Sequence, residues 1–177
     1  MRTPQQWWDE VKVDQAKLID WLKNQYHGEM MAAGRIQTLF LDDLIKLTPE
    51  QTSTILRIAK EEFTHARWIK KLLNARGITA EVLIKEERYW NKVLPEGQAS
   101  VEELAAIAHL AETMRLNRIQ VIAEDKTAPH DIRKVFKKIL PMELNHAKWF
   151  AEMTTEACVD AARDNHNLGL NALGLVI

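Results

Sequence analysis

The chain states one unusual pattern twice. Glu29-x-Met31-x-x-x-Arg35-Ile36-Gln37 returns as Glu112-x-Met114-x-x-x-Arg118-Ile119-Gln120, and Glu62-x-x-His65-Ala66-Arg67-Trp68 returns as Glu143-x-x-His146-Ala147-Lys148-Trp149. The offsets are 83 (112 minus 29) and 81 (143 minus 62), so the two halves have kept their internal spacing to within two residues. This reads as an internal duplication, and each half contributes one lone Glu and one Glu-x-x-His.

Helical periodicity places these residues inside. Ile55, Ile58, Glu62, His65, Ile69 and Leu72 follow alternating steps of three and four, the spacing of a buried seam, and Ile132, Val135, Ile139, Glu143, His146, Phe150 and Met153 repeat it. Glu29 lies among Leu18, Leu22, Gln25, Ala32, Ile36 and Phe40, and Glu112 between Ala108 and Ile119. A Glu and a His three apart on a helix are separated by about 60° around the axis and about 4.5 Å along it, so both reach one point beside the helix. Four carboxylates and two imidazoles then converge, which is the ligand set of a two-metal carboxylate site in a four-helix bundle. Converging ionised carboxylates in an apolar interior are costly unless something neutralises them. Two divalent cations balance four glutamates, and the mixed oxygen and nitrogen donors suit two iron ions, with manganese or zinc as substitutes.

The order Glu29, Glu62-x-x-His65, Glu112, Glu143-x-x-His146 resembles the ferritin-like di-iron carboxylate superfamily over roughly residues 14–162, its rubrerythrin and bacterioferritin branches above all. The resemblance implies Glu29, Glu62, His65, Glu112, Glu143 and His146 as metal ligands, with Glu62 and Glu143 bridging. It also marks departures. His109 and Ile36 stand where rubrerythrins carry a further glutamate and a tyrosine, and Phe63 stands where bacterioferritins carry a haem-binding Met. The activity implied is a di-iron oxidoreductase reducing peroxide or dioxygen. The alternatives are a di-iron hydroxylase of an apolar substrate, faintly suggested by His27-Gly28-Glu29, and a ferroxidase or iron-handling protein. Cys158 is the only cysteine, so neither an internal disulfide nor the four-cysteine iron centre common in rubrerythrins can be built, and a separate electron donor is expected.

Outside the six ligands, Tyr26 and His109 occupy equivalent positions, each three residues before a lone ligand glutamate, and are expected to form the reactive face. Glu61 is expected to reach His146 as the carboxylate partner that a coordinating imidazole usually has, while its duplicate position holds Met142. Trp68 and Trp149 read as duplicated packing, and Arg35 and Arg118 as facing outwards or towards another subunit.

The caps predict an all-α fold: a ferritin-like four-helix bundle with a long helical crossover between its second and third helices, in one domain over 1–177. Helices are expected from near Asp14 to Lys46, from Pro49 behind the Thr48 capping box to near Arg76, from Ser100 to near Lys126, and from Pro129 to about Asp164. A kink is expected at Pro141. The crossover is expected to be helical from Thr79 to about Val93, and 165–177 to be an apolar tail that packs on the bundle or on a second copy in a homodimer. With 46% hydrophobic residues the 177-residue chain can bury a substantial core. Net charge is −1 with no basic stripe, which disfavours nucleic acid, and no apolar leader or membrane-length stretch is evident, so a cytoplasmic protein is expected.

Overall fold

The computed structural model describes residues 3–42 and 45–175. Among them are seven helices and no strand: α1 (Pro4–Val13), α2 (Gln15–Phe40), α3 (Pro49–Asn74), α4 (Trp90–Val93), α5 (Val101–Glu124), α6 (His130–Glu152) and α7 (Glu156–Ala172). The long helices α2, α3, α5 and α6 form the bundle. α2 packs along α3 and α5 along α6, and the two hairpins meet through α3 with α6 and α2 with α5. Each hairpin carries one copy of the recurring Glu and Glu-x-x-His motifs, and the two helix pairs face each other across a common core.

Capping explains where the bundle helices begin. Thr48 and Gln51 form a reciprocal box ahead of α3 with Pro49 in the first turn, and Ser100 and Glu103 do the same for α5. Asp14 accepts from Ala16 and Lys17 to start α2. A third box, Thr3 with Gln6, starts α1, a helix outside the expected bundle limits. α1 buries Trp8 and Val11 in the main core beside Ile69, Leu73, Ile122, Ile132 and Phe136. Trp8 Nε1 donates to Asp125 at 2.9 Å and fastens it to the end of α5.

Four expectations about boundaries need correction. α2 ends at Phe40 rather than Lys46. The last bundle helix stops at Glu152 rather than near Asp164, and the chain restarts as α7 under a Thr155 cap. The supposed tail is therefore helical through Ala172, with Gly169 and Leu170 buried against α4 and α5; Val176 and Ile177 lie outside the described residues. Gly169 is required there, because a Cβ would sit 2.6 Å from a ring carbon of Tyr89. Pro141 lies within α6, which runs through it unbroken.

The fourth correction is the crossover, which is long but mostly non-helical: only Trp90–Val93 is a helix. An extended chain covers about twice the distance per residue that a helix does, and this strap must run along the bundle before α5 begins. Its polar groups find partners on α2 instead of along their own backbone. Leu83 N–H donates to His27 Nδ1 at 3.2 Å, Lys85 Nζ donates to Asn24 at 2.7 Å, and Glu87 receives both His27 Nε2 (3.0 Å) and Arg35. No described helix is long and apolar enough to cross a membrane.

Candidate metal centre

α2, α3, α5 and α6 each carry their acidic or imidazole groups to the middle of the bundle. Glu29, Glu62, His65, Glu143 and His146 have no solvent exposure, and Glu112 has 6%. Their donor atoms fall into two clusters, each within 4.8 Å: Glu29, Glu62, His65 and Glu143, and Glu62, Glu112, Glu143 and His146. Glu62 and Glu143 belong to both. His65 Nδ1 lies 3.3 Å from Glu143 and 3.5 Å from Glu29, and His146 Nδ1 lies 3.0 Å from Glu62 and 3.5 Å from Glu143.

The donor set fits divalent cations on an observation internal to the structure. Eight buried side-chain atoms make no hydrogen bond: one oxygen each of Glu29, Glu112 and Glu143, both oxygens of Glu62, both ring nitrogens of His65, and Nδ1 of His146. Buried polar atoms are ordinarily hydrogen-bonded, and a concentration of exceptions at one place calls for an ion.

Electrostatics show the same crowding. Burial raises the Glu62 carboxyl, with Glu143 and Glu29 adding repulsion, to about 7. Burial likewise carries Glu112 well above the carboxylate range. At Glu29 burial acts in the same sense, but Arg115 and His65 outweigh it and hold the group at about 2. At the histidines burial disfavours the imidazolium, yet the carboxylates of Glu143 and Glu29, within 3.5 Å of the ring, lift His65 to about 10, and those of Glu143 and Glu62 lift His146 to about 11. The carboxylates hold whatever positive charge they can reach.

The structure brings Glu61 to His146, as expected: Nε2 donates to the carboxylate at 2.9 Å. Burial works to raise Glu61, but Arg57 and His146 hold it below its usual range. His65 Nε2 has no such partner. The two tryptophans tilt against the histidines, Trp68 on His65 at 5.9 Å and Trp149 on His146 at 6.0 Å. Each is covered by a cation from the opposite repeat, Lys138 over Trp68 and Arg57 over Trp149, and these cations are themselves duplicates (138 minus 57 is 81).

Arg35 and Arg118 do not face freely outwards. Arg35 pairs with Glu87 and lies 4.0 Å over Trp90, and Arg118 lies 5.0 Å over Trp7. The duplicated arginines thus take matching roles, each stacked under a tryptophan from outside its own hairpin. His109 Nδ1 donates to the Ala147 carbonyl at 2.9 Å, and Tyr26 packs at the edge of the main core. Neither belongs to the two donor clusters.

Arg115 escaped the sequence reading. Its Nη2 lies 2.8 Å from Glu29 and 3.3 Å from Glu143, and its Nη1 lies 3.5 Å from Glu62 and 3.6 Å from Glu112. The available signal was a cation three residues after a lone glutamate, on the same helix face, where the other repeat has Ala32. Gln25, which donates to Glu29, is the counterpart asymmetry: its duplicate position is Ala108.

Beside Glu112 and Arg115 opens a cavity of about 140 Å³, walled mainly by apolar side chains that include Ile36, Phe40, Ile107 and Phe150. A family profile described as rubrerythrin matches residues 20–154, the stretch holding all six candidate ligands. Searches of the curated proteins and of the solved structures return no match. Covering about three quarters of the chain, the match makes this protein a member of the rubrerythrin family, within the ferritin-like di-iron superfamily.

Proposed function

We propose that the chain holds two iron ions through Glu29, Glu62, His65, Glu112, Glu143 and His146, and works as an oxidoreductase on peroxide or dioxygen. The observation that carries this reading is the pair of donor clusters sharing Glu62 and Glu143, with eight buried atoms short of partners. Two ferrous ions, when bound, supply the two electrons that convert peroxide, with two protons, to two waters. The chain's own part is to fix the donors and exclude water. Gln25 orients Glu29, Glu61 fixes the His146 ring so that Nδ1 faces the carboxylates, and Trp68 and Trp149 close the bundle behind the histidines. The reactive face assigned to His109 and Tyr26 rests on their equivalent positions in the repeats. Cys158 alone cannot form an iron–sulfur relay, so the electrons return from a separate donor protein. The test is anaerobic reconstitution with ferrous iron followed by stopped-flow mixing with peroxide. Two ions per chain and stoichiometric oxidation are expected, and one ion or none sinks the dinuclear reading.

The cavity favours a second reading, hydroxylation of a small apolar substrate. Peroxide needs no apolar chamber, whereas apolar cavities of this size accept guests as large as benzene. Narrowing the cavity with Ala111→Leu separates the two: oxidation by peroxide should persist, and any dioxygen-dependent hydroxylation should collapse. Iron handling, the third class, needs a large closed shell, so a homodimer by light scattering argues against it.

A further inference from the structure

We propose that Arg115 is a displaceable internal cation, a guanidinium that competes with the second metal ion for the four central carboxylates and must withdraw towards the adjoining cavity before that ion can bind. The inference rests on the metal reading above and goes beyond it by assigning a loading order.

The geometry has three parts. The guanidinium spans both donor clusters, with Nη2 against Glu29 and Glu143 and Nη1 against Glu62 and Glu112. Those four carboxylates are all the carboxylates of the two clusters, Glu62 and Glu143 being common to both. Arg115 also lines the cavity, so the side chain has somewhere to go without unfolding the helix that carries it. Position 115 is a departure from the duplication, since the first repeat has Ala32 there.

Charge fixes the consequence. An arginine in a protein stays protonated, so its charge leaves the site only if the side chain does. Four glutamates offer four negative charges. One divalent ion together with Arg115 leaves one charge over, and the guanidinium stays. Two divalent ions satisfy all four, and a guanidinium held in place, its side chain only 23% exposed, would be a largely buried cation with no carboxylate charge left to balance it, which is disfavoured. The first ion therefore binds beside Arg115 and the second binds against it.

Titration of the metal-stripped full chain with Mn(II), followed by calorimetry and by the spin coupling of paired manganese, tests this directly. In the wild type the second ion should bind at least about tenfold more weakly than the first. Arg115→Met, of similar length and no charge, should tighten the second ion by at least about tenfold and lower the melting temperature of the stripped protein more than that of the loaded one. Unchanged affinity for the second ion in Arg115→Met overturns the proposal. A measurement on the wild type alone covers the case of a variant that does not fold: labelling of Arg115 by phenylglyoxal, read by mass spectrometry, should rise when two ions are bound, and equal labelling with and without metal overturns it. If the wild type binds no ion, the metal reading fails as well. If it binds two while the Arg115 results are negative, only the displacement fails.

Discussion

The two repeats each present the same three donor types, two glutamates and a histidine, but surround them differently. In the first, Glu29 is sealed from solvent and oriented by Gln25, and neither ring nitrogen of its histidine, His65, makes a hydrogen bond. In the second, Glu112 borders the cavity and Arg115, and its histidine, His146, is anchored on Glu61 from the opposite hairpin. The difference teaches that duplication conserves what must converge, while the groups behind and beside the donors are free to diverge. One half supplies a closed, weakly supported position, and the other an open, well-supported one.

The largest effect should come from removing what the halves share. Glu62→Ala or Glu143→Ala takes a donor from both clusters and should cost at least one of two ions, read by metal analysis of the reconstituted protein. Retention of two ions in either variant would show that the clusters do not depend on common carboxylates.

Next comes pH, which asks whether the two histidines behave as equals. Both are raised from 6.5, to about 10 and about 11. The folded, metal-stripped chain therefore binds protons more tightly than the unfolded chain. The stability from the two imidazoliums is fully present below about 6.5 and is lost as pH rises through the folded values of about 10 to 11. Urea unfolding of stripped protein should show stability falling from pH 6.5 upwards, and a flat profile would contradict the ion pairs. By the same linkage, metal uptake at neutral pH should release protons, seen as a dependence of calorimetric heat on buffer ionisation.

A smaller effect should follow from the anchor on His146. Glu61→Gln should weaken one ion by about 10–100-fold and leave the other nearly unchanged. Met142→Glu, which offers His65 the acid it lacks, should narrow the gap between the two affinities. Equal changes at both positions would erase the asymmetry. Smallest of all, Arg57→Ala or Lys138→Ala removes one of the two cations crossing between repeats, and each should cost about 0.5–1 kcal/mol in thermal unfolding. Markedly unequal losses would show that the pairing over Trp149 and Trp68 is symmetric in geometry only.

Much of the convergence at the candidate site was legible because buried carboxylates and imidazoles recur at helical spacing. Glu29, Glu62, His65, Glu112, Glu143 and His146 could be read from two offsets and a period, and the Thr48 and Ser100 boxes mark helix starts through local bonds alone. Glu61 was legible through the resemblance, since in related bundles an acid at that position often reaches the histidine of the opposite helix pair. The non-helical strap from 78 to 89 was not, because a backbone group such as Leu83 N–H is satisfied by a distant partner, His27; nor were the helix ends at Phe40 and Glu152, whose closing bonds, Leu41 N–H to Gln37 and Met153 N–H to Trp149, are those of an ordinary helical turn.

By itself, then, the sequence determined the all-helical class, the pairing of two repeats and the identity of the converging donors, since periodicity and capping act within a few residues along the chain. Only the tertiary structure decided which partners surround those donors. Arg115 reaches four carboxylates borne on four helices, α7 closes over the crossover, and Arg35 and Arg118 lie beneath tryptophans from other elements. A long charged side chain samples many rotamers, and nothing in its local sequence selects one. The buried charge of the opposing hairpin does, and it exists only once the two repeats have met.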